Sequence, residues 1–94
     1  MEVTELVDRH VLHPEGDLTI FEAAEFREAL LMLSKHEGPL ELNVSGVERV
    51  DSSGIQLMIA ASHDGRLAIT GMTDSLRDKI AGIGCAHLVK DYEK

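Results

Sequence analysis

Apolar residues along this 94-residue chain change their spacing from two to three-and-four and back again, and that rhythm sets the expected elements. Val3, Glu5 and Val7 share one strand parity and Thr4 and Leu6 the other, which predicts a strand over Glu2–Val7. Val11–Glu15 is the expected hairpin partner, with Asp8–Arg9 near the turn. Pro14 marks an edge or an end there, because proline has no amide hydrogen to give a ladder. The stretch "GDLTIFEAAEFREALLMLSKHEG" carries the clearest helical signal. Thr19 and Glu22 have the spacing of a capping box, in which each side chain satisfies a free amide at the helix start. Ala23, Phe26, Leu30 and Leu33 then recur at helical spacing as one core-facing stripe, and Gly38 is placed to end the helix.

In "PLELNVSG", Leu40, Leu42 and Val44 fall on one strand face, Ser45–Gly46 predicts a bend, and Val47–Val50 runs on to a polar junction. Ile55, Met58 and Ile59 mark a second helix, widened by Leu57 and Ala61, and Asp64–Gly65 is a turn signal. "RLAIT" reads as a short strand. "TDSLRDKIAGIG" reads as a third helix, with Thr73 as its cap and Leu76, Ile80 and Ile83 on its apolar side. "HLVK" is the candidate for a last strand. The order is ββαβαβα(β), an α/β chain whose alternation predicts a mixed β-sheet with parallel pairs and helices packed on it. With no linker, repeat or low-complexity stretch, residues 1–94 read as one domain.

Composition narrows the function. Seventeen acidic residues against nine Lys and Arg give a formal charge of −8, spread along the chain. Such a surface repels nucleic-acid backbones and anionic membranes. With no Trp, one Tyr and two Phe, the chain offers no aromatic platform for bases. No apolar run approaches the roughly 20 residues of a membrane span, and "MEVTELVDRH" lacks the basic-then-apolar order of a secretory signal. Neither nucleic-acid binding nor direct membrane insertion is expected. Cys85, the one cysteine, rules out an internal disulfide and reads as a small buried hydrophobe in a reducing, cytoplasmic setting.

The junction "VERVDSSGIQLM" asks for more than a turn. Asp51 or Ser52 can accept a hydrogen bond from an early amide of the second helix. That accounts for one polar side chain and leaves a hydroxyl over, and Gly54 would be costly deep within a helix. A helix start favours negative charge. A phosphoserine there, carrying a charge of roughly −1.5 to −2, would be tolerated by its own helix and refused by a partner packed over it.

These residues, with "ELNVSG" before them, resemble the STAS domain family of sulfate transporters and anti-sigma factor antagonists. "GDLTIFEAAEFREALL" is similar to that family's G-x-L-[DT] turn and first helix, and "DSLRDKIAGIGCAHLVK" to its late helix and strand. The resemblance spans nearly the whole chain and implies a STAS-type fold. Its D-[ST]-[ST]-G motif falls on Asp51, Ser52, Ser53 and Gly54, and implies Ser53 as the phosphoacceptor. Asp51, Ser52, Ser53, Gly54, Ile55 and Thr19 are the partner-binding residues it implies, with no catalytic residue, cofactor or metal. The implied partner is a serine-kinase anti-sigma factor of GHKL type, or a related signalling kinase in a bacterial cell. That kinase phosphorylates the antagonist with ATP and lets it go, and a PP2C-type phosphatase resets the cycle. Some STAS relatives instead brace the ATPase subunit of a phospholipid-trafficking ABC transporter, where the motif more often reads D-[ST]-[AG]-G; Ser53 favours the switch. Three departures stand out: Thr19 where many antagonists have Asp, a second helix that looks short before Gly65, and an end at Lys94 that is expected to leave little room for the last helix common in relatives.

Other constellations are weaker. A Ser53–His63–Asp triad lacks G-x-S-x-G, since Asp51 stands where the first glycine belongs. His10 and His13 have odd spacing in a strand region and are expected on opposite faces, against a shared metal. "GIG" at Gly82–Gly84 follows a helix, where Gly82 serves better as a C-cap than in a dinucleotide loop.

Overall fold

The computed structural model describes residues 1–82. Strands β1 (Val3–Glu5), β2 (His10–Leu12), β4 (Leu40–Asn43) and β6 (Leu67–Thr70) form one sheet in the order β1-β2-β4-β6. Strands β3 (Glu15–Leu18) and β5 (Gly46–Val50) form a separate parallel pair. Helices α1 (Ala23–Ser34), α2 (Ser52–Ser62) and α3 (Asp74–Gly82) follow β3, β5 and β6. β1 and β2 are antiparallel, with Val3 opposite Leu12, while β2–β4 and β4–β6 are parallel. The expected mixed α/β architecture is therefore the one observed.

Alternation along the strands decides which face is covered. Leu12, Leu40, Leu42, Leu67 and Ile69 are buried, together with Phe26, Ala29 and Leu33 of α1, Ile55 and Met58 of α2, and Leu76 and Ile80 of α3. The first-helix stripe is core at Phe26 and Leu33, partly buried at Leu30, and half-exposed at Ala23. On the sheet's other face, Glu41 of β4 bonds Arg9 from the β1–β2 turn and accepts from Thr70 Oγ1 of β6 at 2.6 Å. Burial pushes the Glu41 carboxyl up, but the bonds from Thr70 and Arg9 together outweigh it and hold the group below its ordinary value.

Several boundaries differ from the sequence reading. The first strand stops at Glu5, because Leu6 and Val7 enter a turn closed by Leu6 N–H donating to Arg9 O at 2.7 Å. The hairpin pairing is as expected, but its second strand ends at Leu12, before Pro14, and the chain starts a new strand at Glu15. The run from Leu40 to Val50 is two strands in two sheets, broken where Ser45 N–H donates to Asn43 Oδ1 at 3.0 Å. The first helix ends at Ser34, four residues before Gly38, whose φ of +85° instead turns the chain into β4. Thr73 caps α3 as expected, accepting the Leu76 amide at 3.1 Å. Ile83, the "HLVK" strand and Cys85 lie outside the described residues.

Candidate functional site

β5 delivers the chain to α2 through Asp51, whose extended backbone (φ −116°, ψ −172°) makes it the residue that stands before the helix. Its carboxylate does the capping: Oδ1 accepts the amides of Ser53 at 2.9 Å and Gly54 at 3.3 Å. Its carbonyl accepts the Ile55 amide at 3.1 Å as the first helical bond. Asp51 rather than Ser52 is thus the cap, and both serine hydroxyls are surplus to it. Among the described residues neither hydroxyl has a hydrogen bond; Ser52 is exposed and Ser53 half-buried.

The start of α2 is thus partly filled by its own cap. Of the three first-turn amides without a helical partner, two already face Asp51. An anion on Ser53 must therefore share or compete for them.

Gly54 is present for space. A Cβ there would lie 2.4 Å from Leu18 O and 2.8 Å from Val50 Cγ2, so α2 starts hard against the end of β3. Ile55 is 1% exposed and belongs to the core. The sequence reading counted both as partner-binding; the structure turns both inward, because the second helix docks through them. The outward part of the motif is Ser52, Ser53 and the accessible edge of Asp51.

A second segment joins the site. The Asp51 Oδ2 atom accepts the amide of Ile20, 31 residues earlier, at 3.0 Å. Ile20 sits in the turn between β3 and α1, held from within by Thr19 and Glu22. Glu22 Oε1 accepts the Thr19 amide at 3.0 Å and the Thr19 hydroxyl at 2.6 Å, while Thr19 Oγ1 accepts the Phe21 amide at 3.3 Å. These Thr19 bonds keep the Glu22 carboxyl below its ordinary value. Thr19 shapes the turn, and no hydrogen bond ties its hydroxyl to Ser53. What the turn presents is apolar: Ile20 is 62% and Phe21 90% exposed. The sequence reading passed over both. Their signal was position: two large apolar residues inside a capping box lie before the stripe that faces the core.

The remaining candidates separate. His63 caps the far end of α2, ten residues from Ser53, or about 15 Å along a helix, so no triad forms between them. His10 stacks on His36 with ring centroids 4.0 Å apart, whereas His13 meets Ser45 Oγ at 3.3 Å, so the two histidines serve different neighbours. Gly82 closes α3, and the rest of "GIG" lies outside the described residues. A groove of about 260 Å³ lies between α1 and α2, lined by Leu30, Leu33, Leu57 and Ala61 among others, and does not include Ser53.

Comparison with known proteins bears on the family and the fold. The family model described as "Mlab, STAS domain" matches residues 1–90. A crystal structure of a sulfate transporter family protein from Wolinella succinogenes aligns with TM-score 0.71 and 16% identity, over 95% of this chain and 78% of that one. The anti-sigma factor antagonist SpoIIAA in its unphosphorylated form aligns with TM-score 0.60 and 15% identity, over 82% of this chain and 77% of that one. The structure of Mglu matches at TM-score 0.60 and 28% identity over 71% of this chain, which corresponds to 18% of Mglu. The search of curated proteins gives no match.

Proposed function

The chain belongs to the STAS domain family, and from that premise we propose that it is a regulatory docking protein, like an anti-sigma factor antagonist, released from its partner by phosphorylation of Ser53. The observation that carries this reading is the Ser53 hydroxyl. Ser53 is half-buried, its hydroxyl is free of hydrogen bonds among the described residues and unneeded as a cap, and Asp51 links its amide to the turn that exposes Ile20 and Phe21. An exposed apolar pair beside a modifiable hydroxyl suits a contact that is meant to be made and broken.

In this reading the partner is a serine-kinase anti-sigma factor or a related bacterial signalling kinase, and the setting is cytoplasmic. No described helix is long and apolar enough to cross a membrane. The partner transfers the γ-phosphoryl group of ATP. A bond forms between Ser53 Oγ and phosphorus, the bond to the β-phosphate oxygen breaks, ADP leaves, and the hydroxyl proton goes to a base of the kinase. A PP2C-type phosphatase then uses water to return the hydroxyl and inorganic phosphate. This chain is the substrate in both steps and supplies no catalytic group.

A second reading, an adaptor seated on the ATPase subunit of an ABC transporter, is favoured by the Mlab description of the matching family and by the alignment with a sulfate transporter family protein. Mass spectrometry of the chain purified from its native cell separates the two. The switch predicts phosphate on Ser53, absent in Ser53→Ala, and a soluble kinase in the complex. A chain never modified at Ser52 or Ser53 and held by a membrane ATPase would replace it with the adaptor.

A further inference from the structure

The capping carboxylate has two sets of clients, and they sit on different sides of the site. Asp51 Oδ1 holds the Ser53 and Gly54 amides at the head of α2, and Oδ2 holds the Ile20 amide in the turn before α1. We propose that Asp51 couples the chemical state of Ser53 to the turn that presents Ile20 and Phe21. The inference rests on the reading of Ser53 as the phosphoacceptor.

The physical steps are short. A phosphoryl group on Ser53 brings a charge of roughly −1.5 to −2 onto the residue whose own amide Asp51 is holding. The new anion repels the Asp51 carboxylate and competes with it for the Ser53 and Gly54 amides. The two oxygens belong to one planar group, so the repulsion that drives Oδ1 from its amides acts on Oδ2 as well and displaces the carboxylate as a unit. The Ile20 amide is therefore released with it. Thr19 and Glu22 bond each other independently of Asp51, so the turn keeps its internal shape and loses its tie to α2. Phosphate then acts on docking twice: through its own charge, and by unfastening the apolar pair from the helix beside it. Asp51 is a positioning residue in this scheme.

Asparagine separates the two clients. It caps helices about as well as aspartate but has one acceptor oxygen, so Asp51→Asn can hold α2 and no longer hold Ile20. The experiment measures amide hydrogen exchange by NMR in three chains: unmodified, carrying phosphoserine at position 53, and Asp51→Asn. Ser53→Asp is measured alongside, which keeps the comparison should the phosphorylated chain fold poorly. The coupling predicts that exchange at Ile20 rises about tenfold in the phosphorylated and Asp51→Asn chains. Thr19, bonded to Glu22, serves as the internal reference and stays within about twofold. In Asp51→Asn the Ser53 amide also stays protected, which a general loosening of the region would not allow. An Ile20 amide equally protected with and without phosphate overturns the proposal. Phosphate on Ser53 in the native cell with Ile20 still held would sink the coupling and leave the switch. Release of Ile20 in a chain that its cell never phosphorylates would do the opposite.

Discussion

At Gly54, helix propensity and packing make opposite demands. Alanine is worth about 1 kcal/mol more than glycine within a helix. Its Cβ, however, would stand 2.4 Å from the Leu18 carbonyl oxygen, a backbone atom that cannot swing aside. Overpacking of this kind costs about 1–3 kcal/mol or more, so packing wins. Gly54→Ala is expected to lose about 2 kcal/mol in urea denaturation, and unchanged or higher stability would show that α2 and β3 are not in close contact. The neighbouring serines face a different balance. Charges of −1 and about −2 some 5 Å apart repel by about 2 kcal/mol even at the dielectric constant of water. That is comparable with the ~1 kcal/mol a cap contributes, so a phosphate can disturb Asp51 without unfolding the helix. Ser53→Asp should keep the wild-type circular dichroism spectrum, and a collapsed spectrum would mean that the hydroxyl is structural. The motif itself was legible from residue types: an acid, two hydroxyls and a glycine before an apolar run. Which of them caps, and that Gly54 and Ile55 face inward, depends on where β3 ends, 33 residues before Asp51.

Among the elements, the strands that repeat apolar residues at alternate positions were legible and the one that does not was not. Leu40 and Leu42 announce β4 through their own burial. β3 is "EGDL", polar for three residues, and exists because β5 runs beside it with Asp17 opposite Arg49. The break between β4 and β5 depends on Gly71 at the end of β6. Its φ of +72° and missing side chain let the chain pass within 3 Å of where Asn43 and Ser45 would meet a Cβ. No local spacing contains that contact. Glu41 ties the sheet together on its open face, and its ionisation sets a pH limit. Its carboxyl, like those of Glu22 and Asp64, is held below the ordinary value in the folded chain. Each binds fewer protons folded than unfolded at acid pH. Their contribution is complete above the unfolded value, 4.5 for Glu41, and is lost as pH falls through the lower folded value. The urea midpoint should therefore hold from neutral pH to about pH 5.5 and fall below that, less steeply in Glu41→Gln. A midpoint that rises on acidification would reverse the assigned sign.

For the molecule as a whole, alternation of strands and helices was enough to place it among mixed α/β domains, and the order of its motifs was enough for the family. The proposed docking surface was only half legible. Ser53 was visible as a spare hydroxyl, whereas Ile20 and Phe21 became part of the site only when the fold brought Asp51 to the Ile20 amide. A formal charge of −8 makes the chain's surface acidic, and the proposed phosphorylation of Ser53 would make it more so. The most direct measurement is the affinity of the co-purified partner for the unmodified chain and for the chain carrying phosphoserine at position 53, compared by calorimetry at one salt concentration. The account predicts that the phosphorylated chain binds at least about 100-fold more weakly, with its fold intact. Equal affinities would contradict it.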